Sequence, residues 1–355
     1  MGAGRTYTKH GPQVHGPPLL TRSMDHLFGP GPWTPSWTTP LFQRQCKRPK
    51  VFVEPICLIP QIDDASSVKN YRPISILSAI PKLLEKVMYD QLYDAFKSEF
   101  SLNMSGFLRG HSCCTALLKM VDDWRLALDS KKITGSIAID LSKAFDSICH
   151  NLLLAKLRAY VKCGVPQGSL LGPLLFNIFL NDLNFAGQSS SLRLYTDDTT
   201  TYASDLDIVT LEISLNQDLN VLVTWFSQNY VIVNSIKTQG MVLDSHTHVP
   251  DFFIDETKVE LANSLKILGV TIDCKLTYCQ HISNMLKKVY AKIGVLRRLK
   301  RLMPRNVSLS LYKAYLLPHL EYCSPLLIGI NKTLNSKLES AKKYALKTLV
   351  TSLVT

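Results

Sequence analysis

The sequence predicts an α+β fold, an antiparallel sheet covered by helices on one face. Three observations carry this. Strand-like and helical segments do not alternate regularly and no Gly-rich strand-to-helix turn recurs, which argues against a doubly wound parallel sheet. The run "LRLYTDDTTTYASD" (192–205) reads as two strands folded at an acidic turn. Amphipathic segments flank it, with apolar residues at helical spacing, as in Leu83, Leu84, Val87, Met88, Leu92 and Phe96.

Residues 1–50 stand apart. They are rich in Pro, Gly, Thr and Trp ("FGPGPWTPSWTTPLF"), sustain no period, and read as an irregular or disordered leader. "VFVEPICLIPQ" is a short strand. Residues 79–98 form an amphipathic helix, and 112–130 repeat the pattern. "GSIAIDLSKAF" is a strand with Ile137 and Ile139 on one face, and "HNLLLAKLRAY" is a helix. "GSLLGPLLFNIFLNDL" is a helix so apolar that it must be buried on most sides. After the acidic hairpin come a long amphipathic helix, "LEISLNQDLNVLVTWFSQNY", then a strand, "SLKILGVTID", then two or three basic helices. No internal repeat shows at periods of 20–50 residues.

Composition bounds the function. The 355 residues make one large or two ordinary domains, and 46% hydrophobic with 19% charged residues describes a globular chain. No apolar run is long enough for a bilayer span, and the N-terminus lacks a signal-peptide core, so the expectation is an intracellular protein that is not secreted. Nine cysteines, an odd number with no CxxC pair, are expected as free thiols in a reducing compartment. Cys274, Cys279 and His281 lie close in sequence, but no fourth zinc ligand is obvious. The net charge of +12 sits entirely in residues 282–355, where fourteen Lys and Arg face only Glu321 and Glu339. A basic end on a neutral body fits a polyanion partner; a solvated helix face explains the same charge.

Four acids carry the chemistry. Asp140 ends the apolar strand "SIAID", Asp146 follows six residues later, and Asp197 and Asp198 stand side by side in the hairpin. Asp is depleted in strands, and a tight acidic turn by itself explains an Asp-Asp pair. Bringing Asp140 beside that pair would gather like charges that stay ionised together only around a cation. Mg²⁺ suits an all-oxygen site that also receives phosphate. Two such ions serve in-line phosphoryl transfer.

Spacing and neighbours make a resemblance specific. "AIDLSKAFDSICHNLLLAKL", "GVPQGSLLGPLLFNIFLNDL" and "YTDDTTTYA" resemble three successive motifs of reverse transcriptases, those of non-LTR (LINE-type, jockey-like) retrotransposons above all. "NYRPISILSAIPKLLEKVMYDQL" is similar to the fingers motif of that family. "NQDLNVLVTWFSQNYVIVNSIKTQGMVL" and "LKILGVTIDCKLTYCQHISNMLKKV" resemble its later palm and primer-grip motifs, and "LYKAYLLPHLEYCSP" its thumb. The resemblance covers roughly residues 50–350. It implies a right-hand polymerase, with a fingers-palm domain at 51–280 and a basic helical thumb-like region at 281–355. It implies RNA-directed DNA polymerase activity on an RNA template, DNA primer and deoxynucleoside triphosphates, with Mg²⁺ or Mn²⁺.

The same resemblance implies roles. Asp140 and Asp197 would bind metal, with Asp198 as the adjacent acid; Asp146 takes no metal role. Phe145 would exclude a ribose 2′-hydroxyl. Gln167 and Gly168 would contact nucleotide and template, and Arg72 would pair with the triphosphate. Lys237 would protonate the leaving pyrophosphate, and Leu268 and Gly269 would belong to the primer grip. Arg297, Arg298, Lys300 and Arg301, the densest basic cluster, would meet nucleic acid.

Three departures accompany the match. "YTDD" stands where the family usually has "YADD", and Thr196 is expected to be tolerated as a strand former. Gln61, Asp63 and Asp64 stand where the fingers motif usually carries lysines. Only twenty positions separate Asp146 from Pro166, an interval typically a few dozen residues longer in the family. The chain therefore looks like a partial or decayed copy. Its rival reading is a non-catalytic nucleic-acid-binding remnant. A group II intron-type maturase shares the polymerase motifs, but "NYRPIS" and "LPHLEYCS" look like retrotransposons.

Overall fold

A computed structural model describes residues 56–60, 71–75, 79–142, 144–145, 147–160, 171–187, 189–243, 249–299 and 304–351. The chain divides into two compact units, Met1–Ile76 and Leu77–Thr355. In the first, β1 (Ile56–Pro60) pairs antiparallel with β2 (Tyr71–Ser75), Ile56 opposite Ser75 and Pro60 opposite Tyr71.

The second unit opens with two helices, α1 (Ala79–Phe96) and α2 (Cys113–Asp129). A reciprocal cap sets the start of α2. Ser112 Oγ accepts from Thr115 N–H at 3.1 Å, and Thr115 Oγ1 accepts from Ser112 N–H at 2.8 Å. Such a cap is worth about 1 kcal/mol. Strands β3 (Ile133–Ile139) and β4 (Leu141–Ser142) follow, then α3 (His150–Tyr160) and α4 (Gly172–Leu180). Every residue of α4 from Leu174 to Leu180 is buried, as its all-round apolarity requires. The acidic hairpin is β5 (Ser191–Tyr195) and β6 (Asp198–Asp205). Helix α5 (Ile208–Gln228) starts at Asp207, whose carboxylate accepts from Thr210 N–H at 2.9 Å.

Short strands follow: β7 (Ile232–Val233), which pairs with β4, β8 (Gln239–Leu243), the β9 (Phe253–Ile254) and β10 (Thr257–Lys258) pair, and β11 (Glu260–Leu261); β8 and β11 complete the central sheet. The five-stranded order is β11-β8-β3-β6-β5, with β3 at the centre. All its pairs are antiparallel except β11 with β8. "SLKILGVTID" is not one strand but a hairpin, β12 (Ser264–Ile267) and β13 (Val270–Asp273). Its two-residue loop, Leu268–Gly269, holds φ of 47° and 81°, the left-handed pair that lets a tight turn follow strand twist. The chain closes with α6 (Cys279–Leu299), α7 (Arg305–Leu311), a wider-wound turn over Tyr312–Leu316, α8 (Leu317–Glu321) and α9 (Lys332–Leu346).

Alternation along the central strands makes two cores. Ile133, Ile137 and Ile139 of β3 and Ala203 of β6 share one core with α4 and α5. On the other face Ser136, Tyr202 and Met241 lie in register across β3, β6 and β8. There Tyr202 and Met241 join Leu117 and Trp124 of α2, the β12–β13 hairpin and the C-terminal helices. The Trp124 and Tyr202 rings pack nearly perpendicular, with centroids 5.9 Å apart. Both faces are thus covered, the second partly by segments distant in sequence.

Candidate active site

The acid turn is held from outside the hairpin. Tyr195 stands opposite Asp198, leaving Thr196 and Asp197 as the loop. Segment 103–105 runs along the free edge of β5: Ser105 N–H donates to Leu194 O and Leu194 N–H to Asn103 O, each at 2.9 Å. Gly106 then presses on the turn so closely that a Cβ there would lie 2.5 Å from Thr196 N. The Gly106 carbonyl is fixed by the buried Asn177 Nδ2 of α4 at 2.6 Å. Thr196 departs from the expectation of a strand residue. It sits in the turn, buried, at φ 57°, a region that costs a β-branched side chain about 1–3 kcal/mol.

Strand register brings Asp140 to this turn. Ile139 opposes Thr199, so Asp140, one step on, comes level with Asp198, one step back. Direct cross-strand neighbours have Cβ atoms about 4.5–5.5 Å apart. The Asp140 backbone is anchored from the far side. Its N–H donates to Thr238 Oγ1 at 3.2 Å, that hydroxyl donates to Asn234 O at 2.9 Å, and Asn234 N–H returns to Asp140 O at 2.8 Å. The β4–β7 pair, Leu141 opposite Val233, ties down the same segment. The loop so formed carries Lys237.

A cleft of about 120 Å³ results, lined by Asp140, Asp198 and Lys237 and, from β12, by Lys266. The Asp198 carboxyl is pushed up to about 6 by the protein around it, then by Asp197, then by Asp140. Its outer edge stays open to solvent, so the two neighbouring charges are the firmer cause. Among the described residues no three His, Cys, Asp or Glu side chains are drawn close enough to hold a metal ion by themselves. His281 Nδ1 is instead engaged by Thr271 N–H at 3.3 Å.

Of the other expected site residues, Phe145 lies half exposed in the turn after β4, its ring centroid 4.7 Å from that of Phe176 in α4. Leu268 and Gly269 form the β12–β13 turn, and Leu268 shares a small cavity with Asp198 and Tyr195. Tyr322 donates to Leu268 O at 2.6 Å. Arg297 and Arg298 are exposed in the last turn of α6. The Arg72 backbone lies in β2 opposite Ile59, and its side chain is outside the described residues. Gln167, Gly168, Lys300, Arg301 and Asp146 also lie outside them.

Sequence reasoning missed three residues here. Lys266 is the exposed position between buried Leu265 and Ile267 of β12, an alternation that does not by itself point to a site. Gly106 and Asn177 support the turn through contacts 71 and 90 residues away in the chain, and no local signal announces them.

The profile of the reverse transcriptase family, described as RNA-dependent DNA polymerase, matches residues 61–272. The chain is 26% identical over 274 residues to a probable RNA-directed DNA polymerase from transposon BS of Drosophila melanogaster, covering 65% of this chain and 30% of that one. It is 24% identical over 304 residues to the RNA-directed DNA polymerase from mobile element jockey of the same species, covering 72% and 33%. It thus spans about a third of the length of these relatives. A telomerase of Candida tropicalis, solved in complex with a fragment of telomeric RNA, aligns at a TM-score of 0.42 and 12% identity, over 83% of this chain and 54% of that one. Among the described residues no helix is long and apolar enough to cross a membrane.

Proposed function

Because the chain belongs to the reverse transcriptase family, in its non-LTR retrotransposon branch, we propose that the acid cleft is the palm site for RNA-templated DNA synthesis. One observation carries this most: Asp140 and Asp198, from two separate motifs, line one cleft, and the charges of Asp197 and Asp140 oppose ionisation of Asp198.

The donor set fits Mg²⁺ or Mn²⁺. Asp140, Asp197 and Asp198 offer only hard oxygens, and Mg²⁺ is ordinarily held by one or two carboxylates, waters and substrate phosphates rather than by a closed protein cage. A site that is incomplete without substrate phosphate is what that preference leads to. Bound there, a pair of divalent ions would supply charge neutralisation for the attacking and leaving oxygens of phosphoryl transfer.

The chain's own groups then have the following parts. Asp140, just after β3, and Asp197, in the β5–β6 turn, would hold cation, and Asp198 would add its negative charge beside them. The Lys237 ammonium, exposed at the cleft rim, gives a proton to departing pyrophosphate. Lys266 sets a second positive charge opposite the acids, where the phosphates of a primer end would lie. Phe145, braced by Phe176, walls the sugar pocket. Leu268 and Gly269 position the primer, Arg72 and Gln167–Gly168 meet triphosphate and template, and the basic α6 end meets the duplex.

A second reading, a non-catalytic nucleic-acid-binding remnant, is favoured by the twenty-position interval between Asp146 and Pro166. A helix rises 1.5 Å per residue, so α3 (His150–Tyr160) suffices to cross a sheet face once, and the few positions between it and Pro166 are too short for a further helix and strand pair. The test is primer extension on RNA with Mg²⁺. It compares this chain with one carrying a related element's segment inserted between Tyr160 and Val161. Little or no extension by the first and measurable extension by the second is expected. Efficient extension by the chain as written would refute the cost of the short interval; none by either would favour the binding remnant.

A further inference from the structure

Two exposed tyrosines meet on the basic C-terminal helices. Val289 and Ile293 of α6 share the second core with Leu338 and Ala341 of α9. Above that seam the rings of Tyr290 and Tyr344 come together, their centroids 5.9 Å apart and their planes tilted by 56°. The tilt leaves each ring a free face, and the two residues stay 44% and 43% exposed. Among the described residues no cation lies over either ring, whereas the Tyr315 ring is capped by Lys292 Nζ at 3.9 Å. Gly294, one turn beyond Tyr290, adds open space: a Cβ there would meet nothing within 4 Å.

Positive charge brackets the pair. At 3.6 residues per turn, Lys287 and Arg297 lie on the Tyr290 face of α6, one turn before it and two turns after. Lys337 and Lys347 stand about Tyr344 in the same way, two turns before it and one turn after, in the wider-wound turn that continues α9. All four are exposed, and among the described residues none is in an ion pair. Glu339, the only acid of α9, is taken by Lys342 at 3.2 Å. A single exposed tyrosine needs no ligand to explain it. Two that touch, uncapped and ringed by unpaired cations, fit a partner that carries both flat rings and phosphates.

We propose that Tyr290 and Tyr344 form a stacking platform for the unpaired bases of a single-stranded nucleic acid, with Lys287, Arg297, Lys337 and Lys347 on its phosphates. In a duplex the base faces are already covered by their neighbours; an unpaired base has a face free to lie on a ring. Every base has such a face, so the platform tolerates any sequence. Tyr290 and Arg297 are seven residues apart, about 10 Å along the helix axis. A strand lying on the platform therefore leads onto the basic end of α6. Neither tyrosine lines the acid cleft, so the site serves a copying enzyme and a binding remnant alike.

Fluorescence anisotropy on the whole chain tests this with four labelled probes: single-stranded oligothymidylate, oligouridylate, an abasic strand of the same length and a blunt duplex. Tyr290→Leu and Tyr344→Leu keep apolar bulk and suit an exposed helical position. Each is expected to weaken binding of the base-bearing strands about tenfold, with the salt slope unchanged because no charge is removed. Loss on one of those strands alone would identify DNA or RNA as the strand held. Parent and variants should bind the abasic strand and the duplex alike, which also shows that the fold is kept. A loss of the same size on the abasic strand or the duplex, a lowered salt slope, or undiminished binding of both base-bearing strands would each overturn the proposal.

Discussion

Gly106→Ala adds one methyl group where the acid turn leaves no room for it. The new Cβ would stand 2.5 Å from Thr196 N and 3.0 Å from the Tyr195 carbonyl carbon, both backbone atoms. Ordinary contact begins at 3.4 Å, so the turn or the 103–106 segment must give way by about 0.9 Å, the difference between 3.4 and 2.5. Gly106 does not hold a left-handed φ, so the effect is steric alone. Overpacking of this kind costs about 1–3 kcal/mol. The unfolded-state gain of a Gly→Ala change, about 0.4–1 kcal/mol, works against it. Urea unfolding of parent and variant measures the difference, with Gly110→Ala as control. Gly110 has φ 81° and nothing within 4 Å of its virtual Cβ, so that variant strains backbone without touching the acid turn. Carbon-detected NMR of the Asp198 carboxyl adds a second readout. Its titration should move from about 6 toward the ordinary 3.8 in Gly106→Ala and stay put in Gly110→Ala. A Gly106→Ala variant within about 0.5 kcal/mol of the parent, the range of neutral surface changes, with Asp198 unmoved, would refute the close contact as the support of the turn.

Other outcomes follow from the same geometry. A carboxyl raised in the folded state destabilises the fold once ionised, and the penalty is absent below 3.8 and complete above about 6. Metal-free Asp198→Asn should therefore melt higher than the parent near neutral pH and equally below 3.8; calorimetry showing no gain at neutral pH would contradict the crowding of charge. Changing Arg297, Arg298, Lys300 and Arg301 together to Gln should flatten the salt dependence of primer-template binding by up to roughly 3–4 log units per log unit of salt, at about 0.9 per phosphate contact; an unchanged slope places the contacts elsewhere. Lys266→Gln should lower the same slope by about one unit if it meets a single phosphate, and an unaltered slope removes it from the primer path.

Local pattern made most elements legible. The α1 and α2 stripes, the all-apolar α4 and the hairpin at Asp197–Asp198 depend on neighbours in the chain. What stayed hidden depends on partners far away. Strand β8 is five residues long and contains Gly240, whose missing side chain admits Leu261 of β11 from above; a virtual Cβ there would meet Leu261 at 2.6 Å. The Leu268–Gly269 turn interrupts a run of strand formers with only one glycine as a signal, and Leu268 itself adopts a left-handed φ that sequence preferences oppose. The site divides the same way. Asp140, Asp197 and Asp198 stood out because acids are out of place in strands. Lys266, Gly106 and Asn177 are common residues in common settings, and only the fold gives them a place beside the acids.

The most direct measurement is a calorimetric titration with Mn²⁺ or Mg²⁺ on the whole chain, in the presence of primer-template and a deoxynucleoside triphosphate. If the acids of β3 and the β5–β6 turn form one cation site, Asp140→Asn alone and Asp197→Asn alone each abolish the tightest binding phase, although the two residues lie in different motifs. If both variants titrate like the parent, the acids do not converge and the pair at 197–198 is only a turn.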